Sequence, residues 1–140
     1  MRETPVQWVS DLASQGLQSR RQGTIEKIWV ETWNSCDFER ILTLYDDDAE
    51  VSSPGIVRLG LGQDGRLRGK DKLRNYWSRA LLELPNLHFD LLDVFESPDS
   101  AVVRYLNDRG PTVCEYLRLN PEGRIVQASA NHLVDSLRQE

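Results

Sequence analysis

Glu115 is the residue of this 140-residue chain around which chemistry can be organised. Residue types in Thr112–Leu119 alternate with a period of two, so Val113, Glu115, Leu117 and Leu119 share one face of a strand and Cys114, Tyr116 and Arg118 the other. Glu115 is thus a single acid in an apolar row. The next segment, Arg124–Leu133, alternates as well: Val126, Ala128, Ala130 and His132 share a face, and Gln127, Ser129 and Asn131 point the opposite way. Two small alanines across from Glu115 predict a void in place of a filled core. A carboxyl in such a void loses hydration, its pKa rises, and it can serve as acid, base or hydrogen-bond donor. His132 is expected four residues along from the position opposite Glu115, about 13 Å at strand rise, too far for a dyad. His132 and Tyr105 are candidates to assist. The plainer alternatives are an ion-paired structural glutamate and an exposed histidine at a strand end.

Other chemistries find little support. With only His88 and His132 as imidazoles, and no H-E-x-x-H, a zinc site is not expected. No G-x-S-x-G occurs, and Cys114 lies on the face opposite Glu115, which argues against a cysteine nucleophile working with that acid. Asp46-Asp47-Asp48-Ala49-Glu50 lacks the spaced ligands and glycine of a calcium loop and reads as a solvated turn between a helix and a strand. Gly60, Gly62 and Gly65 fit G-x-G-x-x-G formally. Gln63-Asp64-Gly65, however, reads as a hairpin turn between Ile56–Leu61 and Arg66–Arg68, not as the strand-to-helix turn of a dinucleotide site. Gly69-Lys70 is followed by Asp71 where a phosphate loop needs Ser or Thr. No cofactor or metal is expected.

The elements that must position Glu115 can be read from periodicity. An N-terminal arm, residues 1–23, is expected to carry a helix opened by Thr4 and Pro5, with Val6, Val9, Leu12, Ala13 and Leu17 at helical spacing, and a linker at Ser19–Gly23. A second helix runs from Thr24, its cap, to Asn34, with Ile25, Ile28, Trp29, Thr32 and Trp33 on one face. Asp37 caps a short helix through Tyr45, with Phe38, Ile41, Leu42 and Tyr45 inward. Lys70–Leu84 is a third amphipathic helix whose apolar face includes Leu73, Tyr76 and Trp77, ended by Pro85. Then the period changes to two. Leu87–Phe95, Ala101–Leu106, Thr112–Leu119 and Arg124–Leu133 are separated by turn sequences of hairpin length and predict an antiparallel meander. Helices first and strands later point to an α+β fold, one curved sheet covered on one face by helices. Trp29, Trp33, Tyr45 and Trp77 are core residues by default, though a Tyr or Trp beside a cavity can turn its polar end toward a ligand.

Composition sets outer bounds. Seventeen basic against 22 acidic side chains give a net charge of −5, and no basic stripe stands out, which argues against nucleic-acid binding. No apolar run approaches about 18 residues, so no membrane span is expected. Cys36 and Cys114 cannot build a disulfide framework and suit a reducing compartment, so a cytoplasmic protein is expected.

Several strings in a fixed order resemble a known family. Trp33-Asn34-Ser35-Cys36-Asp37-Phe38, Leu44-Tyr45-Asp46-Asp47-Asp48-Ala49 and Val51-Ser52-Ser53-Pro54 come first. Leu67-Arg68-Gly69-Lys70-Asp71 then opens a helix, and Asn120-Pro121-Glu122-Gly123-Arg124-Ile125-Val126 turns into the last strand. Together, over Ile25 to His132, they resemble the SnoaL-like branch of the nuclear-transport-factor-2-like superfamily. The resemblance implies a cone-shaped α+β barrel over residues 24–135, a curved antiparallel sheet wrapping a pocket covered by three helices, with a short tail at 136–140. It also implies a homodimer through the outer sheet face: Cys114, Tyr116, Arg118, Gln127, Ser129 and Asn131. The pocket is expected to involve Trp29, Trp33, Tyr45, Ser53, Tyr76, Trp77, Tyr105, Val113, Leu117, Ala128 and Ala130 around Glu115 and His132. Among catalytic relatives, Glu115 falls where ketosteroid isomerases carry a neutral carboxylic acid that donates to an oxyanion. Tyr45 matches a supporting tyrosine. The isomerase base, an Asp before the proline, is Ser53 here, its oxyanion tyrosine is Trp29, and the acid of SnoaL cyclases aligns with Ala130. The Arg–Asp arrangement of limonene epoxide hydrolase is absent too. Two functions therefore stand side by side: an acid/base enzyme acting through Glu115 on a small hydrophobic carbonyl compound, and a non-catalytic ligand-binding or dimeric module.

Overall fold

A computed structural model describes residues 24–108, 110 and 112–134. The helical arm expected over 1–23 and the tail at 136–140 lie outside the described residues. Thr24 caps α1 (Ile25–Asn34), its hydroxyl accepting from the Lys27 N–H at 3.4 Å. The buried side of α1 is Ile25, Glu26, Trp29, Val30, Thr32 and Trp33, whereas Ile28 faces out. Asp37 caps α2 (Phe38–Leu42), accepting from the N–H groups of Glu39 and Arg40. That helix is shorter than expected. Tyr45 opens β1 (Tyr45–Ser52), and the acidic run Asp46–Glu50 lies within this strand, not in a turn. Tyr45, Ala49 and Val51 are buried while Asp47 and Asp48 face water, and an irregularity in the pairing between Tyr45 and Glu50 lets Asp47 leave the inner face.

Ser53 then caps α3 (Pro54–Arg58), so the strand expected at Ile56–Leu61 is a helical turn followed by a loop. Pro54 at the first helical position and the Ser53 hydroxyl on the Gly55 N–H favour that outcome. The Gln63-Asp64-Gly65 turn is present, but the strand it leads into, β2 (Arg66–Arg68), pairs with β1. Helix α4 (Lys70–Glu83) starts at Gly69, whose φ of 95° is open to glycine at little cost and whose N–H bonds the Ala49 carbonyl at 2.9 Å.

The meander follows as expected: β3 (Phe89–Ser97), β4 (Ser100–Asn107), β5 (Thr112–Leu119) and β6 (Ile125–His132), each antiparallel to the next. The six strands are ordered β2-β1-β6-β5-β4-β3, and β1 runs parallel to β6, so the sheet is not purely antiparallel. The curved sheet is not closed into a barrel: β2 and β3 remain as edges, and the helices complete the cone. Helix α4 packs on α2, β1 and β2, and α1 packs on α2 and β3. Asn34, the last residue of α1, fastens that helix to the sheet. Its side chain accepts from the Phe89 N–H at 2.7 Å and donates to the Phe89 carbonyl at 3.0 Å.

Asn34→Ala leaves both Phe89 backbone groups without this partner in a partly buried place. We expect it to cost about 1–3 kcal/mol, read as a lower urea midpoint with an unchanged slope.

Candidate functional site

The inner face of the sheet and the helices enclose a cavity of about 250 Å³. Its floor follows from the β5–β6 register. Val103, Glu115 and Ala130 lie side by side across β4, β5 and β6, and Ala130 offers only a methyl group to the space over Glu115. The Glu115 side chain is nearly buried, at 6% exposure, and its Oε1 accepts a hydrogen bond from the Tyr105 hydroxyl at 3.2 Å. Loss of hydration pushes the Glu115 pKa up to about 7, the Tyr105 hydrogen bond opposing the shift without cancelling it. Tyr105 itself is raised, first by burial and then by the charge of Glu115, so its phenol stays a donor.

A second pair lies alongside. The Trp29 indole N–H donates to the Tyr45 hydroxyl at 2.9 Å, and both residues are almost fully buried. Burial raises the Tyr45 pKa, and the charge of Glu115 adds to it, so this phenol too stays protonated. The Trp33 N–H leans toward the same hydroxyl without reaching hydrogen-bond geometry, and it has no hydrogen-bond partner among the described residues. Rings wall the space. Phe89, Trp29 and Tyr105 form a triangle of rings, Phe89 meeting Trp29 at 5.8 Å and 24° and Tyr105 at 4.2 Å and 30°, with Trp29 and Tyr105 5.6 Å apart. Trp77 meets Trp33 edge-on.

The third polar pair is near the rim. Tyr76 donates to the Ser53 Oγ at 3.2 Å, which already accepts from the Gly55 N–H at 3.2 Å. Gly55 is required by close approach: a Cβ there would sit 2.5 Å from the Tyr76 hydroxyl. Burial raises the Tyr76 pKa, partly offset by the Ser53 hydrogen bond. Exposed lining residues Arg58, Asp108 and His132 mark the mouth. His132 is held below its ordinary pKa, first by partial burial and then by the Arg58 charge.

Most residues expected from the sequence meet here: Trp29, Trp33, Tyr45, Ser53, Tyr76, Trp77, Tyr105, Val113, Glu115, Ala130 and His132 all line the cavity. Leu117 and Ala128 do not; they pair with each other in the solid core beneath it. The expected spacing of His132 is corrected. His132 pairs with Val113, two positions from the residue opposite Glu115, or about 7 Å at strand rise. The turn closes on Asn120 and Arg124, and a bulge at Val126 advances β6 by one more residue. A two-residue slip keeps every side chain on its face, which is why the faces were right and the spacing was not. The bulge also turns Ile125, not Val126, into the core. Sequence reasoning missed Phe89, Gly55 and Arg58. The first lies on a strand whose two faces are both mixed in residue type, so its inward direction carried no signal; the other two were hidden by reading α3 as strand.

Among the described residues no group of His, Cys, Asp and Glu is arranged to hold a metal ion, and no helix is long and apolar enough to cross a membrane. The raised Glu115 pKa has a thermodynamic consequence. The folded state binds this proton more tightly than the unfolded chain, so the contribution is full below about pH 4.5 and is lost as pH rises through about 7. The loss is on the order of 3 kcal/mol. Glu115→Gln is expected to remove this slope and be the more stable protein at pH 8, with the two similar near pH 4. Urea unfolding at both pH values checks it; parallel curves would mean an unshifted carboxyl.

Comparison with known proteins agrees with this geometry. No protein of curated function matches the chain. A solved SnoaL-like protein of unknown function from Burkholderia thailandensis is 32% identical, with 88% of this chain and 98% of the other covered and a TM-score of 0.76. A polyketide-cyclase candidate from Sinorhizobium meliloti shares 16% identity over 75% of this chain and 91% of its own, with a TM-score of 0.62. TerC, crystallised with polyporic acid, shares 17% over 79% and 89%, with a TM-score of 0.63. These last two share the fold. The model of the SnoaL-like domain matches residues 27–129, and with the cone-shaped architecture this places the chain in the SnoaL-like family of the nuclear-transport-factor-2-like superfamily.

Proposed function

We propose that this chain is a cytoplasmic acid/base enzyme that moves a proton on a small, mostly apolar carbonyl compound, with Glu115 as the group that carries the proton. The observation behind the reading is a nearly buried carboxyl with a pKa of about 7, facing an open cavity and held by one phenol. At neutral pH both of its forms are populated, as a group that first takes and then returns a proton requires. In the forward step the ionised carboxyl removes a proton from the carbon beside the carbonyl. The C–H electron pair becomes the new C=C π bond, the carbonyl π pair moves onto oxygen to give the enolate, and the same carboxyl returns the proton to that carbon or to its vinylogous neighbour. Tyr45 lines the space where the enolate oxygen would lie, and its hydroxyl, which accepts from the Trp29 N–H, keeps its own proton to donate. Tyr105 orients Glu115, and His132 stands at the mouth. Similarity of fold to a polyketide-cyclase candidate and to TerC with polyporic acid is consistent with a ring-bearing carbonyl ligand.

Cavity size limits the substrate. A cavity of roughly 150 Å³ holds a benzene molecule, so 250 Å³ suits about two fused rings, and a steroid would have to extend out of the mouth. A second reading, a ligand-binding module without turnover, is favoured by Ser53, whose Oγ is engaged by Gly55 and Tyr76 where relatives place a base. In either case we propose a homodimer through the outer sheet face. Phe95, Val102 and Tyr116 are aligned there across three strands on a face that no helix among the described residues covers, with Cys114, Arg118, Gln127, Ser129 and Asn131 around them.

The test is deuterium exchange at the α-carbons of 2-tetralone, a two-ring ketone, followed by proton NMR in heavy water. Wild-type protein is expected to accelerate exchange with a midpoint near pH 7, and Glu115→Gln to lose at least about 100-fold of that with unchanged circular dichroism. Equal exchange by both proteins would remove Glu115 from the chemistry. Binding without exchange in the wild type would establish the module.

A further inference from the structure

Arg58 has no part in the proton transfer, yet among the described residues it is the one lysine or arginine that lines the cavity. Its guanidinium Nη2 lies 3.4 Å from where a Cβ on Gly55 would be, on the same side as the Tyr76 hydroxyl, and its charge reaches both Tyr76 and His132. It makes no hydrogen bond or ion pair with another described residue, whereas Arg74 and Arg104 pair with Glu39 and Asp93. Among the described lining residues Asp108 is the acid at this mouth, while the charge that acts on both Tyr76 and His132 is that of Arg58. The rim is therefore electrically two-sided, positive toward Ser53, Tyr76 and His132.

The floor has the opposite preference. Glu115 repels an anion once it ionises, and the groups that face it from neighbouring strands and helices, Tyr45, Tyr76 and Tyr105, are neutral phenols. A rigid flat ligand with one acidic and one neutral polar end has a single favourable orientation here: neutral end inward, anionic end at the mouth. We propose that the ligand is a two-ring organic acid whose carboxylate, or enolate of equal charge, is bound by Arg58, and that Arg58 selects it over neutral compounds of the same shape. Guanidinium matches such an oxygen pair with two parallel N–H donors, and Arg58 is at the solvent edge, where the ligand's charge need not be buried. This rests on the cavity being the binding site of the preceding section, though not on its being catalytic.

The experiment compares 2-naphthoate with 2-naphthamide, equal in shape and different in charge, by titration calorimetry at pH 7.5. Wild-type protein is expected to bind the acid at least tenfold more tightly. Arg58→Gln should reduce that ratio to below twofold, and Arg58→Lys should restore part of it, since ammonium keeps the charge and loses the paired donors. His132 supplies an independent readout by NMR titration of its imidazole. Naphthoate binding or Arg58→Gln should each raise its pKa, because each cancels the positive charge beside it. Equal binding of acid and amide by the wild type would overturn the role of Arg58 and leave the cavity as a binding site. Failure of both to bind would remove the binding site itself, and the selectivity with it.

Discussion

The pairing of β5 with β6 carries the rest of the molecule. It puts Glu115 opposite Ala130, and the missing side-chain volume at Ala130 keeps a carboxyl in a void where its hydrogen-bond partner is a neutral phenol, Tyr105. Had β6 slipped by one residue, Asn131 or Ser129 would face Glu115, and the polar outer row would lie over the core. The Asn120–Arg124 turn and the Val126 bulge prevent that slip. Everything above the floor then has one task, to keep the void from collapsing.

Aromatic packing performs that task. Trp29, Phe89 and Tyr105 form a continuous wall, and Trp33, Tyr45 and Trp77 form another, with each ring set by its neighbours. Large rigid side chains span space without filling it, where aliphatic chains would fold in. The hydrogen bond from Trp29 to Tyr45 and the two bonds from Asn34 to Phe89 fix these walls by direction as well as contact. The cavity is a product of stiffness.

Period-two alternation and turn chemistry made the meander, Glu115 and the inner row legible in the sequence, because these signals are local. Caps at Thr24 and Asp37 were legible for the same reason. What escaped depended on distant partners. Asp46–Glu50 reads as a loop by composition and becomes strand because β6 and β2 pair with it from far along the chain. The run Ile56–Leu61 has strand-forming residue types, yet Ser53 and Pro54 start a helical turn first, and that turn is what delivers Arg58 to the mouth. The register of His132 was set by a bulge that no residue type announces.

The parallel pairing of β1 with β6 has a consequence in time. Tyr45 and Val51 need Ile125 and Ala128 beside them, so the early half of the fold stays without its neighbour until the last described strand has been synthesised. Closing a loop of that length is costly before any contact rewards it, so we expect this junction to form late in assembly. Until then the β6 side of the meander is open as well as the β3 side, which stays an edge in the finished fold and carries the exposed Phe95. The arrangement that encloses the cavity thus gives the unfinished chain an open strand edge at β6 that the finished fold closes.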